Sequence, residues 1–103
     1  MNKLKTIAII DCAIEEPSLF CFNRLVESGL NCSYHSASQL GVGSLNQPDQ
    51  YQAAMVLGSY SSVHENLKWH QELASWCLSA LEKGLPVLGI CFGHQLIAKH
   101  FGA

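Results

Sequence analysis

With 103 residues, 49% hydrophobic and 14% charged, the chain has the size and apolar content of one small globular domain, which excludes a disordered polar segment. Its formal net charge of -2 and lack of Lys/Arg clusters give no electrostatic case for nucleic acid or an anionic membrane as partner. The five cysteines, an odd number without a CxxC pair, fit free thiols in a reducing cytoplasm better than a disulfide framework or a zinc site.

The N-terminal stretch MNKLKTIAIIDCAIEE has a basic start and a short apolar run. Asp11, Glu15 and Glu16 follow closely and no small-residue cleavage site is evident, so it reads as a first strand, LKTIAIID, rather than a signal peptide. No apolar run approaches the roughly 20 residues of a membrane span. Pro17 suits the first residue of a helix whose apolar positions Leu19, Phe22, Leu25 and Val26 lead to Gly29 as a C-terminal cap. NCSYHSA is a weaker second strand, and residues 39–52, rich in Gly, Ser, Asn, Gln and Pro, read as a surface loop.

AAMVLG is a third strand, followed by a loop, SYSSVHEN. From Leu67 to Lys83 the residues Trp69, Leu73, Trp76, Cys77, Ala80 and Leu81 form one stripe of a helix that Gly84 ends. LPVLGI is a fourth strand, and a further helix begins near Gly93. Strands alternating with helices predict right-handed βαβ units and a parallel sheet. Ligands then bind outside the carboxyl ends of the strands, here in the loops after Leu57 and after Ile90.

Cys91 sits at the second of these places, directly after a strand, before a helix and between Gly89 and Gly93. Such a turn lifts a side chain out at the top of a sheet, and the glycines relieve crowding. The helix N-terminus behind it offers amides and positive potential, which lower a thiol pKa and stabilise developing negative charge. A small structural cysteine at a glycine-rich junction is nearly as good an account of G-x-C-x-G by itself.

The wider stretch GLPVLGICFGHQLIAKHFGA, residues 84–103, resembles the nucleophile segment of class I, triad-type, glutamine amidotransferases, and leans toward the GMP-synthase-like group. In that family P-V-x-G-I-C is followed by x-G-H-Q-x-[IL]-A. The resemblance implies an α/β, flavodoxin-like three-layer fold with a parallel sheet, here incomplete, of about four strands with flanking helices. It implies that Cys91 attacks the side-chain amide of glutamine, forming a thioester and releasing ammonia. The amide of Phe92 becomes one oxyanion donor and Gln95 a contact for the amino-acid end of glutamine. His94 is not the family's base, and an anchoring role for it is the better reading.

A second part of the pattern is S-G-G-P-x-S after the third strand, whose backbone supplies the other oxyanion amide. The matching stretch here is VLGSYSSVHEN, in which Gly58 and Ser62-Val63 fit, while Ser59 and Tyr60 stand where a second glycine and a proline are usual. The oxyanion hole expected from the resemblance is therefore Gly58, Ser59 and Phe92. The implied substrate is glutamine, the implied partner a synthase domain or subunit that accepts ammonia, and neither cofactor nor metal is expected.

The family's base lies in an H-x-E motif on a later loop, and none follows Cys91 within residues 92–103. His70-Gln71-Glu72 matches in letters only: inside a helix, residues two apart diverge by about 200° around the axis, so the pair reads as a solvated face. His35 follows the second strand. His64 is the histidine best placed to approach Cys91, and His100 lies more than two turns along the last helix. Residues 1–103 are thus expected to be the N-terminal portion of one amidotransferase domain, not active by itself, and prone to self-association through an incomplete sheet. A γ-glutamyl hydrolase or peptidase using the same thiol, and a non-catalytic remnant or binding module, remain alternatives.

Overall fold

In the computed structural model, residues 5–59, 65–90 and 92–100 are described. The first strand, β1 (Thr6–Asp11), holds the β-branched run of the N-terminus. Helix α1 (Phe20–Glu27), strand β2 (Cys32–Ser36) and a one-turn helix α2 (Ala37–Leu40) follow. A 3-10 turn (Pro48–Gln50) leads into β3 (Tyr51–Val56), then come α3 (Lys68–Glu82), β4 (Val87–Gly89) and α4 (Phe92–His100). The strands form one parallel sheet in the order β2-β1-β3-β4. This is the α/β doubly wound arrangement expected, in the strand order of flavodoxin-like sheets.

Helix α1 starts at Phe20, not at Pro17. The cause is Asp11, at the carboxyl end of β1, whose carboxylate accepts the amides of Ala13 (2.9 Å) and Ser18 (2.6 Å). These bonds hold the 13–18 segment against the strand end as a loop, so Pro17 cannot open the helix. Ser38 secures the same loop by donating its hydroxyl to the Ala13 carbonyl (2.5 Å). Gly29 and Gly84 end α1 and α3 with φ of +90° and +80°, the left-handed backbone that glycine adopts at a helix terminus. The stretch 39–52 is more ordered than its composition predicts, since it contains the end of α2, the 3-10 turn and the start of β3.

Register divides the sheet into two faces. Ala8 and Ile10 of β1 stand beside Ala54 and Val56 of β3 and join Leu73, Ala74, Cys77, Ala80, Phe92 and Leu96 in the main core, beneath α3 and α4. On the other face Ile9 pairs with Met55 and lies under α1. A register irregularity between Thr6 and Ile7 leaves Gln52 unpaired opposite β1. It turns Tyr51 onto the α3 side, where its ring lies 5.9 Å edge-on from Trp76 and 5.9 Å from His35.

Strand β4 pairs with β3 alone among the described residues, and Leu88 on it is 54% exposed. Beside it a groove of about 340 Å³, lined by Ile7, Leu25, Ala53, Met55 and Leu88, lies open on the α1 face. Parallel sheets normally carry helices over both faces. Here α1 covers only part of its side.

Candidate functional site

The two loops predicted to carry chemistry leave adjacent strands at the same level. Val56 of β3 is the register partner of Gly89 of β4, and the Ile90 amide donates to the Val56 carbonyl at 2.9 Å. Beyond Val56 the chain passes through buried Leu57 to half-buried Gly58 and Ser59. Beyond Ile90 it enters α4, the Gly93 amide donating to the Ile90 carbonyl at 3.0 Å to close a tight turn.

The two glycines of this turn have separate tasks. A Cβ on Gly89 would stand 2.7 Å from the His94 nitrogen and 2.8 Å from the Gly93 carbonyl carbon. On Gly93 it would run into the Val56 carbonyl oxygen and lie 2.9 Å from the Val56 Cβ. The first turn of α4 is thus pressed onto the ends of both β3 and β4, closer than any side chain permits. This seating aims the positive end of α4 at the strand ends, where an anion or a developing oxyanion is stabilised. Lys99 and His100 in its last turn complement the opposite pole.

Phe92 is 2% exposed, with its ring packed against Trp69 (5.4 Å) and His70 (5.1 Å), so only its backbone remains for binding. Gln95 and His94 are exposed on α4. The turn therefore brings together Gly58, Ser59 and Phe92 at one end of the sheet, with Gln95 one turn along the helix. Cys91 itself lies outside the described residues, as do Tyr60, Ser61, Ser62, Val63 and His64.

His70 departs from its sequence reading. It is 1% exposed, its ring 4.3 Å from that of Trp69, and it is part of the interior rather than a solvated face. Helical geometry does separate it from Glu72, as expected; the error lay in its side of the helix, since Leu73 and Cys77, three and seven residues on, share the buried stripe. Burial lowers its pKa, with Lys99 and His100 acting the same way and Glu65 opposing. The anchoring role that His94 suggested thus falls to His70, because His94 points to solvent.

His35 is structural. Its ring nitrogens bond the hydroxyls of Ser33 (2.8 Å) and Ser44 (3.0 Å), and burial lowers its pKa. Asp11, which sequence reasoning treated only as an acidic residue near the N-terminus, is 1% exposed and also accepts the Tyr34 hydroxyl at 2.5 Å. Burial and that carboxylate push the Tyr34 phenol up to about 12. A charged residue ending an apolar strand was the available signal.

The described cysteines, Cys12, Cys21, Cys32 and Cys77, are free thiols. Burial pushes Cys77 up to about 12 and raises Cys12 further, the neighbouring Asp11 and Cys77 adding to the shift at Cys12. Both are inert as nucleophiles at neutral pH. Among the described residues no group of three or more His, Cys, Asp or Glu could hold a metal ion, and no helix is long and apolar enough to cross a membrane.

Comparison with known proteins agrees with this layout. The chain is 38% identical over 61 residues to a putative glutamine amidotransferase of Saccharomyces cerevisiae, covering 55% of this chain and 24% of the relative. It is 62% identical over 32 residues to a subunit of the glutamine-hydrolysing GMP synthase of Methanococcus aeolicus, covering 30% and 17%. It is 28% identical over 100 residues to the glutamine-hydrolysing GMP synthase of Anaplasma marginale, covering 97% and 19%. The chain thus spans about a quarter or less of the length of these relatives. No solved structure matches significantly. The family Glutamine amidotransferase class-I matches residues 11–103, nearly the whole chain, and with the parallel sheet and its seated glycine turn this establishes that the chain belongs to the class-I glutamine amidotransferases, on their GMP-synthase-like side.

Proposed function

We propose that this chain supplies the cysteine half of a glutamine-hydrolysing site that delivers ammonia to a synthase domain or subunit. The observation that carries the reading is the seating of Gly93 on Val56, which brings the positive end of α4 to the carboxyl end of the sheet, one residue after Cys91 in the chain.

In the proposed reaction the Cys91 thiolate attacks the side-chain carbonyl carbon of glutamine. The oxyanion of the tetrahedral intermediate accepts from the Phe92 amide and from the Gly58–Ser59 backbone. Collapse breaks the C–N bond, ammonia leaves with a proton from a general acid, and a γ-glutamyl thioester remains. Water then attacks the thioester, yielding glutamate and the free thiol. Gln95 holds the amino-acid end of glutamine.

The acid and base are assigned to a histidine other than His35, His70 and His100. His70 is buried with Nδ1 engaged by the Leu67 amide, His35 on β2 is held by Ser33 and Ser44, and His100 ends α4. A second chain or segment bearing an H-x-E pair completes the triad, and without it residues 1–103 bind and react with electrophiles but do not turn over. That relatives on the GMP synthase side include enzymes built from separate subunits favours transfer of ammonia to a partner over γ-glutamyl hydrolysis.

The test is alkylation of the purified chain by an electrophilic glutamine analogue, compared with iodoacetamide and mapped by mass spectrometry. Selective modification of Cys91 by the analogue, competed by glutamine, is expected. Equal labelling by both reagents, with no competition, refutes a glutamine site.

A further inference from the structure

His70 is buried, titratable and unused by the chemistry above. It is the third residue of α3, and its Nδ1 accepts the backbone amide of Leu67, the N-cap, at 3.3 Å. Glutamate or glutamine normally makes this reach from the N3 position. A histidine makes it only while Nδ1 is unprotonated, because both nitrogens of the imidazolium are donors. The same ring packs on Phe92, the residue after Cys91, at 5.1 Å, while Leu67 closes the connection that begins at Gly58 and Ser59.

We propose that His70 is a positioning residue for the cysteine turn, its neutral ring tying the start of α3 to Phe92. The ring thus joins Phe92, at the start of α4, to Leu67, at the start of α3. The inference rests on the reading of Phe92 and the Gly58–Ser59 backbone as oxyanion donors.

Protonation breaks the tie. A proton on Nδ1 removes the acceptor for Leu67 and places a charge among Trp69 and Phe92. Among the described residues, the groups acting on the ring are Glu65 before α3, which favours the proton, and Lys99 and His100 at the end of α4, which oppose it. Above the titration of the ring the turn is held, and below it the turn loosens while the sheet persists.

Two variants separate the two contacts. His70→Phe keeps a ring against Phe92 and loses the acceptor, whereas His70→Gln keeps the acceptor and loses the ring. Native-state amide exchange in the full chain is expected to show faster exchange at Leu67 in His70→Phe, and at Phe92 and Gly93 in His70→Gln. Acidification of the wild type loosens both sets together. The preference of Cys91 for the glutamine analogue over iodoacetamide is expected to fall roughly three- to tenfold in each variant and to lose its dependence on the ring's protonation.

Exchange changes confined to α3 in His70→Gln and at low pH reduce His70 to a helix cap and overturn the proposal. So does an acid-dependent labelling preference that survives in both variants. A wild type with no preference for the analogue at any pH refutes the glutamine site itself, and the exchange pattern then decides the tie independently.

Discussion

Replacing Gly93 by alanine sets helix propensity against packing. In a helix interior alanine is favoured over glycine by about 0.8–1.0 kcal/mol. At Gly93, however, the new methyl would meet the Val56 carbonyl oxygen and stand 2.9 Å from both the Val56 carbonyl carbon and its Cβ. These are backbone or backbone-proximal atoms of a buried strand and cannot rotate away. Relieving them lifts the first turn of α4, at the roughly 1–3 kcal/mol typical of overpacking. It also stretches the 2.9 Å bond from the Ile90 amide to Val56, worth about 0.5–1.5 kcal/mol. Set against the propensity gain, the expected net loss is about 1–3 kcal/mol, or roughly 4–8 °C of Tm for each kcal/mol.

Urea unfolding followed by Trp69 and Trp76 fluorescence reads this directly, with two reference substitutions. Gly43→Ala meets only the Leu40 carbonyl at 3.6 Å and lies outside the left-handed region, so it should fall within about 0.5 kcal/mol of wild type. Gly84→Ala has open space but φ of +80°, and should lose about 1–2 kcal/mol through strain alone. Gly93→Ala should additionally abolish selective labelling of Cys91, which Gly84→Ala should spare. If Gly93→Ala unfolds with Gly43→Ala, or labels like wild type, the close seating of the turn on Val56 is wrong.

Asp11→Asn is expected to bring the Tyr34 phenol down from about 12 toward its ordinary value, without reaching it because burial persists, and ultraviolet titration at the phenolate band checks this. His35 and His70 both have folded-state pKa values below their ordinary one, so the unfolded chain binds more protons in the window beneath about 6.5. Stability should therefore be complete above that pH and decline as pH falls through the window; urea midpoints that stay flat from pH 7.5 down to 5 contradict it. The chain is expected to be marginally stable and to self-associate, and a monomer in size exclusion melting well above about 60 °C, the upper end for mesophile domains, would count against that. Leu88→Lys, on the 54% exposed position of β4, should reduce association with a stability change of no more than about 0.5 kcal/mol, and unchanged association would show that the β4 edge is not the contact.

Most of the architecture was legible because its signals are local. The β-branched run of β1, the apolar stripe of α3 with its glycine stop, and the G-x-C-x-G turn each state their own structure, and alternation then dictates a parallel sheet. The start of α1 was not legible, because Pro17 is overruled by Asp11 seven residues before Ser18, a bond set by the folded strand end. His70 was misplaced for a similar reason: a polar residue beside a stripe is assigned to solvent unless its partners are known, and one of its ring partners, Phe92, lies on another helix. In the candidate site, the need for glycine at 89 and 93 could be read, but not that Gly93 answers to Val56, which is 37 positions earlier in the chain.

The unpaired Gln52 at the opposite pole of the sheet acquires a meaning from that last contact. Strand positions alternate sides, so a slip of one residue in β3 would turn Met55 toward α3 and offer its neighbours the wrong face. Val56 would then no longer stand under Gly93, and α4 would have no floor. The extra residue between Tyr51 and Ala53 works as a stop that fixes how far β3 is drawn through the sheet. The height of the turn into α4 is thus gauged from the far end of the strand, several residues below the loops that carry the candidate site.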